Sequence, residues 1–192
     1  LDASSVQTVV IDEVDVMLSI GFKEQVQDMF RYLPANAQAV AVSATLSAEV
    51  LGITEKFLRN PTRILLPPEE VPLEAIAQFF VDCEKHDFKL DVLCDLFDLL
   101  SISKTIIFCN SRATAERLAA QMTERDFSIS VLHSDLTPQE RTERMKQFRH
   151  GSTRVLIATD ILARGIDVQQ VSIVVNYDLP RDIPNYIHRQ LT

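Results

Sequence analysis

Glycine is scarce in this chain: Gly21, Gly52, Gly151 and Gly165 are the only four in 192 residues, and none precedes a lysine. A loop that closes bare backbone N–H groups around nucleotide phosphates needs several glycines leading into Gly-Lys-Ser or Gly-Lys-Thr, so these residues hold no such loop. Basic residues are in deficit too. Nineteen Lys and Arg against 27 Asp and Glu leave a net charge of −8, which excludes an overall basic field and confines any nucleic-acid contact to a local patch. The cysteines, Cys83, Cys94 and Cys109, are odd in number and lack C-x-x-C spacing. Each sits in an apolar strand or helix pattern, which reads as reduced core thiols in an intracellular compartment. No apolar run approaches the roughly 20 residues of a membrane helix, and residues 1–15 are acidic where a signal peptide is basic. The expectation is a soluble protein with no membrane partner.

Periodicity is what the chain has in quantity. With 46% hydrophobic residues it can bury a real core. From residue 86 to 177 helical and strand periods alternate. Leu90, Leu93, Phe97 and Leu100 form one helical stripe, followed by the buried strand Thr105-Ile106-Ile107-Phe108. Ala115, Leu118, Ala119 and Met122 form the next, followed by Ile129-Ser130-Val131-Leu132. Thr137-Pro138-Gln139-Glu140 is a capping box with proline at the first helical position, Gly151 closes that helix, and a strand from Arg154 to Ala158 follows. Strands separated by helices imply right-handed crossovers and a parallel sheet, hence an α/β fold. Residues 1–66 repeat the pattern with strands near 6–11, 39–43 and 62–66, a helix near 22–32, and a second opening at Ser47 and ending at Asn60-Pro61. Pro67-Pro68-Glu69-Glu70-Val71-Pro72 breaks both periods and marks a linker.

Candidate chemistry lies at strand ends, where parallel sheets bind ligands. Asp12-Glu13-Val14-Asp15 follows Val9-Val10-Ile11, and Ser43-Ala44-Thr45 follows Ala39-Val40-Ala41-Val42. Paired carboxylates in such a place suit phosphoryl transfer, one holding magnesium through water and a neighbour positioning the attacking water. The same residues suit a helix N-terminus, with Asp12 as cap and Glu13 and Asp15 complementing the macrodipole. Ser43 and Thr45 could equally satisfy backbone near a strand end, and Gly165 could be a turn residue.

Order across the chain adds to these fragments. Met17-Leu18-Ser19-Ile20-Gly21-Phe22 follows Asp15, and then come Ser43-Ala44-Thr45, Ile107-Phe108-Cys109-Asn110, Arg164-Gly165-Ile166-Asp167 and His188-Arg189. The series resembles motifs II, III, IV, V and the start of VI of the DEAD-box ATP-dependent RNA helicases, over essentially the whole chain. Arg31-Tyr32-Leu33-Pro34, Leu93-Cys94-Asp95-Leu96 and Asn176-Tyr177-Asp178-Leu179-Pro180 bring it nearest the translation initiation factor 4A group. The resemblance implies two RecA-like lobes, the first incomplete at its N-terminus (residues 1–66) and the second truncated at its C-terminus (residues 75–192), joined by residues 67–74. It also implies ATP and Mg2+ as cofactors. Asp12 would hold the ion through water and Glu13 would orient the attacking water. Asp15, Ser43, Ala44, Thr45 and His188 would couple nucleotide state to lobe closure. Asp167 and Arg164 would approach the nucleotide, with Arg164 also joining the lobes, and Thr159, Gly165, Asn110 and Arg112 would contact RNA.

Departures from the family pattern accompany the matches. Val14 replaces an Ala, placing two extra methyl groups beside the magnesium site; Ser134 replaces the Gly of His-Gly-Asp; and Pro138 replaces a Gln whose partner survives as Arg141. Leu191 and Thr192 stand where a Gly and the first arginine finger belong. The expectation is a monomeric piece of an RNA helicase that turns over no ATP by itself. It would bind single-stranded or short duplex RNA without sequence preference and meet translation-initiation or exon-junction scaffold proteins, in the cytoplasm or alternatively the nucleus. The rival expectation is a non-enzymatic RNA- or scaffold-binding module.

Overall fold

The β-branched run Thr8–Ile11 forms strand β1, which turns at Asp12-Glu13 into helix α1, Val14–Ser19. Helix α2, Lys23–Tyr32, completes the crossover to β2, Gln38–Ala41, and the two strands pair in parallel with Thr8 opposite Gln38 and Ile11 opposite Ala41. Helix α3, Ala48–Thr54, starts where the Ser47 side chain accepts from the Val50 amide at 3.2 Å. Ile11, Val14, Leu18, Val26 and Val50 make the core beneath, with Phe30 stacked on Phe57 at 4.6 Å. Residues 2–19, 22–66, 76–100, 102–160 and 171–190 are described in this computed structural model. The chain divides into two compact units, residues 1–73 and 74–192; the proline-rich linker expected at 67–74 lies outside the described residues.

Two expectations for the first unit need correction. α3 ends at Thr54 and not at Asn60, because the Lys56 and Phe57 amides bond three residues back, to Ile53 and Thr54, and tighten the chain out of the α-helix. Residues 62–66 form no strand. They need a ladder partner, and among the described residues the sheet holds only β1 and β2. Gln38 N donates to Gln7 O and Val42 N to Ile11 O, so the alternate amides of Ala39 and Ala41 point away from β1. They face a groove of about 1200 Å³ whose lining includes Pro61, Thr62 and Ile64. Ile64 is 89% exposed.

In the second unit a 3₁₀ turn, His86–Phe88, leads into α4, Lys89–Leu99. Then follow β3, Thr105–Phe108; α5, Arg112–Thr123; β4, Ile129–Leu132; α6, Pro138–His150; β5, Val155–Ala158; β6, Ile173–Asn176; and α7, Ile183–Gln190. The sheet is parallel throughout in the order β4-β5-β3-β6, with Ile107 registered against Ile157 and Val175. Successive side chains of a strand point to opposite faces. Ile107 and Ile157 therefore pack with Leu93, Ala115, Leu118 and Met122, while Ile106, Phe108 and Leu156 pack with Leu132 and Phe148 on the other face. Each of the Leu, Ile, Phe and Met side chains among them contributes about 1.5–3 kcal/mol on burial. The capping box of α6 is formed by Thr137 and Glu140, and Gly151 closes the helix at φ +80°, a conformation that favours glycine. Leu100 leaves its expected stripe: it is the extended C-cap of α4 and is half exposed.

The cysteines divide. Cys94 and Cys109 are buried, but Cys83 is only half-buried, in a segment that joins no sheet. Its neighbours Phe79 and Phe80 are more than 90% exposed, and the segment around Cys83 forms neither strand nor helix, so the apolar pattern there does not make Cys83 a core thiol. Burial pushes the Cys109 thiol up to about 12, and the nearby Asp178 adds to the effect. A disulfide exchange reagent at pH 8 should therefore consume one thiol of the folded chain, Cys83, and the other two only after denaturation; a fast second equivalent would contradict this packing. Among the described residues no helix is long and apolar enough to cross a membrane.

Candidate functional site

The Asp12-Glu13 turn is pinned at both sides, Val42 N donating to Ile11 O at 2.9 Å and Val14 N to Val42 O at 3.1 Å. Held there, Glu13 takes φ +50°, an uncommon conformation for a residue with a Cβ and one that concentrates at functional sites. Asp12 is exposed, and its Oδ1 accepts from the Glu13 amide at 2.8 Å. This is the amide directly after Asp12, not the second or third as in an N-cap. Val14 is fully buried among Ile11, Leu18, Val26 and Val50. Its extra methyls are spent on the core and not beside Asp12, contrary to the expectation from sequence.

In the first turn of α1, Asp15 reaches the segment after β2. Its two carboxylate oxygens accept from Ser43 Oγ at 2.6 Å and from Thr45 Oγ1 at 2.5 Å. Ser43 Oγ in turn accepts from the Thr45 amide at 3.0 Å. Asp15 is 8% exposed, so these are charge-assisted bonds in a largely desolvated place, stronger than neutral ones. Ala44 lies between the two hydroxyl residues and adds no polar group. The acidic turn after β1 and the hydroxyl segment after β2 are thus one bonded assembly, with Asp12 and Glu13 at its edge.

In the second unit the convergence is on Arg189, which sequence reasoning carried only as the neighbour of His188. Its guanidinium, 2% exposed, donates to Asp160 Oδ1 at 2.5 Å, Asn176 Oδ1 at 2.9 Å, Asp178 O at 2.6 Å and Asn110 Oδ1 at 2.8 Å, and lies 5.0 Å over the Phe108 ring. The acceptors stand at or just past the C-terminal ends of β3, β5 and β6. Only a planar fork with five donors can serve all of them at once. The clue in the sequence is a set of polar residues, Asn110, Asp160, Asn176 and Asp178, each ending an apolar strand, with one cation available in the last helix.

The residues expected to meet RNA divide in their surroundings. Asn110 spends its side chain on the protein, its Nδ2 donating to Leu179 O at 2.7 Å while Oδ1 accepts from Arg189. Arg112, in the first turn of α5, pairs with Asp135 and lies 3.6 Å from Glu116. Thr159 continues β5, its amide donating to Leu132 O at 3.1 Å. His188 stands on α7 beside Arg189. Arg164, Gly165 and Asp167 lie outside the described residues.

Comparison with known proteins follows the same division. The helicase conserved C-terminal domain matches residues 88–190, just over half of the chain, and the DEAD/DEAH box helicase domain matches residues 2–53. The chain is similar to eukaryotic initiation factor 4A of Caenorhabditis elegans, 51% identical over 189 residues, covering 98% of this chain and 47% of that protein. It is 52% identical over 189 residues to the ATP-dependent RNA helicase eIF4A of Schizosaccharomyces pombe, 98% and 48% of the two chains. It therefore spans about half the length of the curated relatives it matches. Among solved structures, S. cerevisiae Dbp5 bound to RNA and ADP BeF3 aligns with a TM-score of 0.90 at 38% identity, over 99% of this chain and 50% of the other.

Proposed function

This chain belongs to the DEAD/DEAH box helicase family, in its initiation-factor-4A-like branch, and from that premise we propose that it supplies parts of the two RecA-like lobes of an ATP-dependent RNA helicase. In this reading residues 1–66 and 75–192 are the lobes and residues 67–74 the linker, and the substrate is RNA of any sequence, single-stranded or in short duplexes. The observation that carries the reading is the grip of Asp15 on Ser43 and Thr45. It ties the acidic turn to the hydroxyl segment, so a change at either one is felt at the other.

Asp12 offers the exposed carboxylate oxygens that a hard cation takes through water, and magnesium bound there would neutralise phosphate charge. Glu13 orients the attacking water and receives its proton. Ser43, Ala44, Thr45 and His188 pass nucleotide state to lobe closure, while Asp167 and Arg164 meet the nucleotide. Thr159, Gly165 and Arg112 hold RNA backbone, and Asn110 shapes the same surface through its neighbours. The relatives named as initiation factors support a role in translation initiation, and the reading adds a cytoplasmic monomer that works with a scaffold protein.

The test is a chimera in which this chain replaces the matching region of the C. elegans relative. RNA-stimulated ATP hydrolysis is expected, with Glu13→Gln lowering it about a hundredfold. A folded chimera that binds RNA without hydrolysing ATP would favour the non-enzymatic binding module.

A further inference from the structure

Ser134 stands where the family pattern has glycine, and nothing in the proposed mechanism uses it. Its Oγ donates to Asp135 Oδ1 at 2.9 Å, while Asp135 Oδ2 accepts from the Arg112 guanidinium. The two carboxylate oxygens are thus divided between the serine that orients them and the arginine they hold. A second carboxylate, Glu116, lies 3.6 Å from Arg112 Nε on one side and 3.4 Å from His133 Nε2 on the other. One cation therefore sits between two carboxylates, and its charge is more than cancelled locally. The Ser134 hydroxyl, followed by Arg112, holds the Asp135 carboxyl below the usual carboxylate range, which keeps it ionised. Arg112, Glu116 and Asp135 are each about half exposed. Such a pair is populated, but weak enough for a competing anion to break.

A carboxylate and a phosphate offer a guanidinium the same planar pair of oxygens. We propose that Asp135, positioned by Ser134, is an internal competitor for RNA phosphate at Arg112, so that RNA must displace this carboxylate to bind. The proposal rests on the reading of Arg112 as an RNA contact. It makes Ser134 a positioning residue that lowers RNA affinity, and the serine-for-glycine departure a setting of that affinity. Binding to a partly occupied cation is weakened by the fraction of time the cation is held.

The experiment is fluorescence anisotropy of a 12-nucleotide oligouridylate titrated with the chain at 50 to 200 mM KCl, using Arg112→Ala, Asp135→Asn, Ser134→Gly and the Arg112→Ala/Asp135→Asn double variant. All three positions are on the surface, and circular dichroism checks folding. Asp135→Asn should tighten binding about 3- to 5-fold and steepen the salt dependence by roughly 0.7 in log–log slope, one phosphate contact on a single strand. Ser134→Gly, which leaves every charge in place, should tighten it about 2-fold. Neither gain should survive when Arg112 is alanine. If Arg112→Ala leaves affinity unchanged in both backgrounds, or no variant binds, Arg112 is not an RNA contact and both readings fall. If Arg112→Ala weakens binding while Asp135→Asn and Ser134→Gly change nothing, or the tightening persists without Arg112, the RNA contact stands and the competitor is overturned.

Discussion

Replacing Arg189 with methionine is expected to destabilise the second unit by about 3–5 kcal/mol, the range for removing one partner from a buried ion pair. Methionine fills much of the same volume, so the loss is electrostatic in origin. Asp160 loses its counter-ion, and Asn110, Asn176 and the Asp178 carbonyl lose a donor in a place with little access to water. Arg189→Lys should recover less than half, because a single ammonium cannot reach four acceptors in one plane. Hydrogen exchange resolves the effect by unit: amides of β3 and β5 should lose protection by roughly 10² to 10⁴, while those of β1 and β2 stay as they were. Unchanged protection in β3 would mean that the acceptors find other donors and that Arg189 is not the clasp of this unit.

Asp15→Ala is the counterpart in the first unit. It deletes two charge-assisted bonds, leaving Ser43 Oγ only its bond to Thr45 O and taking the carboxylate from the Thr45 hydroxyl, at a combined cost of about 2–4 kcal/mol. Asp15→Asn keeps one acceptor oxygen but turns an amide donor toward the other hydroxyl, so about half of that loss should remain. Combining Asp15→Ala with Ser43→Ala and Thr45→Val should cost less than the sum of the parts, since the partners disappear together. Protection of the β1 and β2 amides is again the measurement, and additive losses would show that the three side chains do not act as one assembly.

Local signals in the sequence carried through where they were redundant. Thr137, Pro138, Glu140 and Gly151 each mark the limits of α6, and the structure uses all four. The stripe of α5 and the apolar run of β3 are likewise complete in themselves. Residues 62–66 have the composition of a strand and form none, because composition says nothing about whether a ladder is on offer. Arg189 escaped notice for a related reason: its acceptors come from positions 11 to 79 residues away, and no window along the chain shows them together. Asp15, Ser43 and Thr45 were legible as fragments, but that one carboxylate grips both hydroxyls depends on β1 and β2 being neighbours.

Among the described residues β2 pairs only with β1, and the edge this leaves has a consequence for handling the protein. Outward-facing amides at Ala39 and Ala41 beside an exposed Ile64 are a template for recruiting a strand from another molecule, which is how β-sheet proteins begin to aggregate. What opposes it is the net charge of −8, which keeps copies apart in solution. That protection fades as the buffer approaches the isoelectric point near pH 5.0 and is screened at high salt. Colloidal lifetime in the tube is therefore set by the surplus of carboxylates over the whole surface, and preparations belong well above that pH at moderate ionic strength.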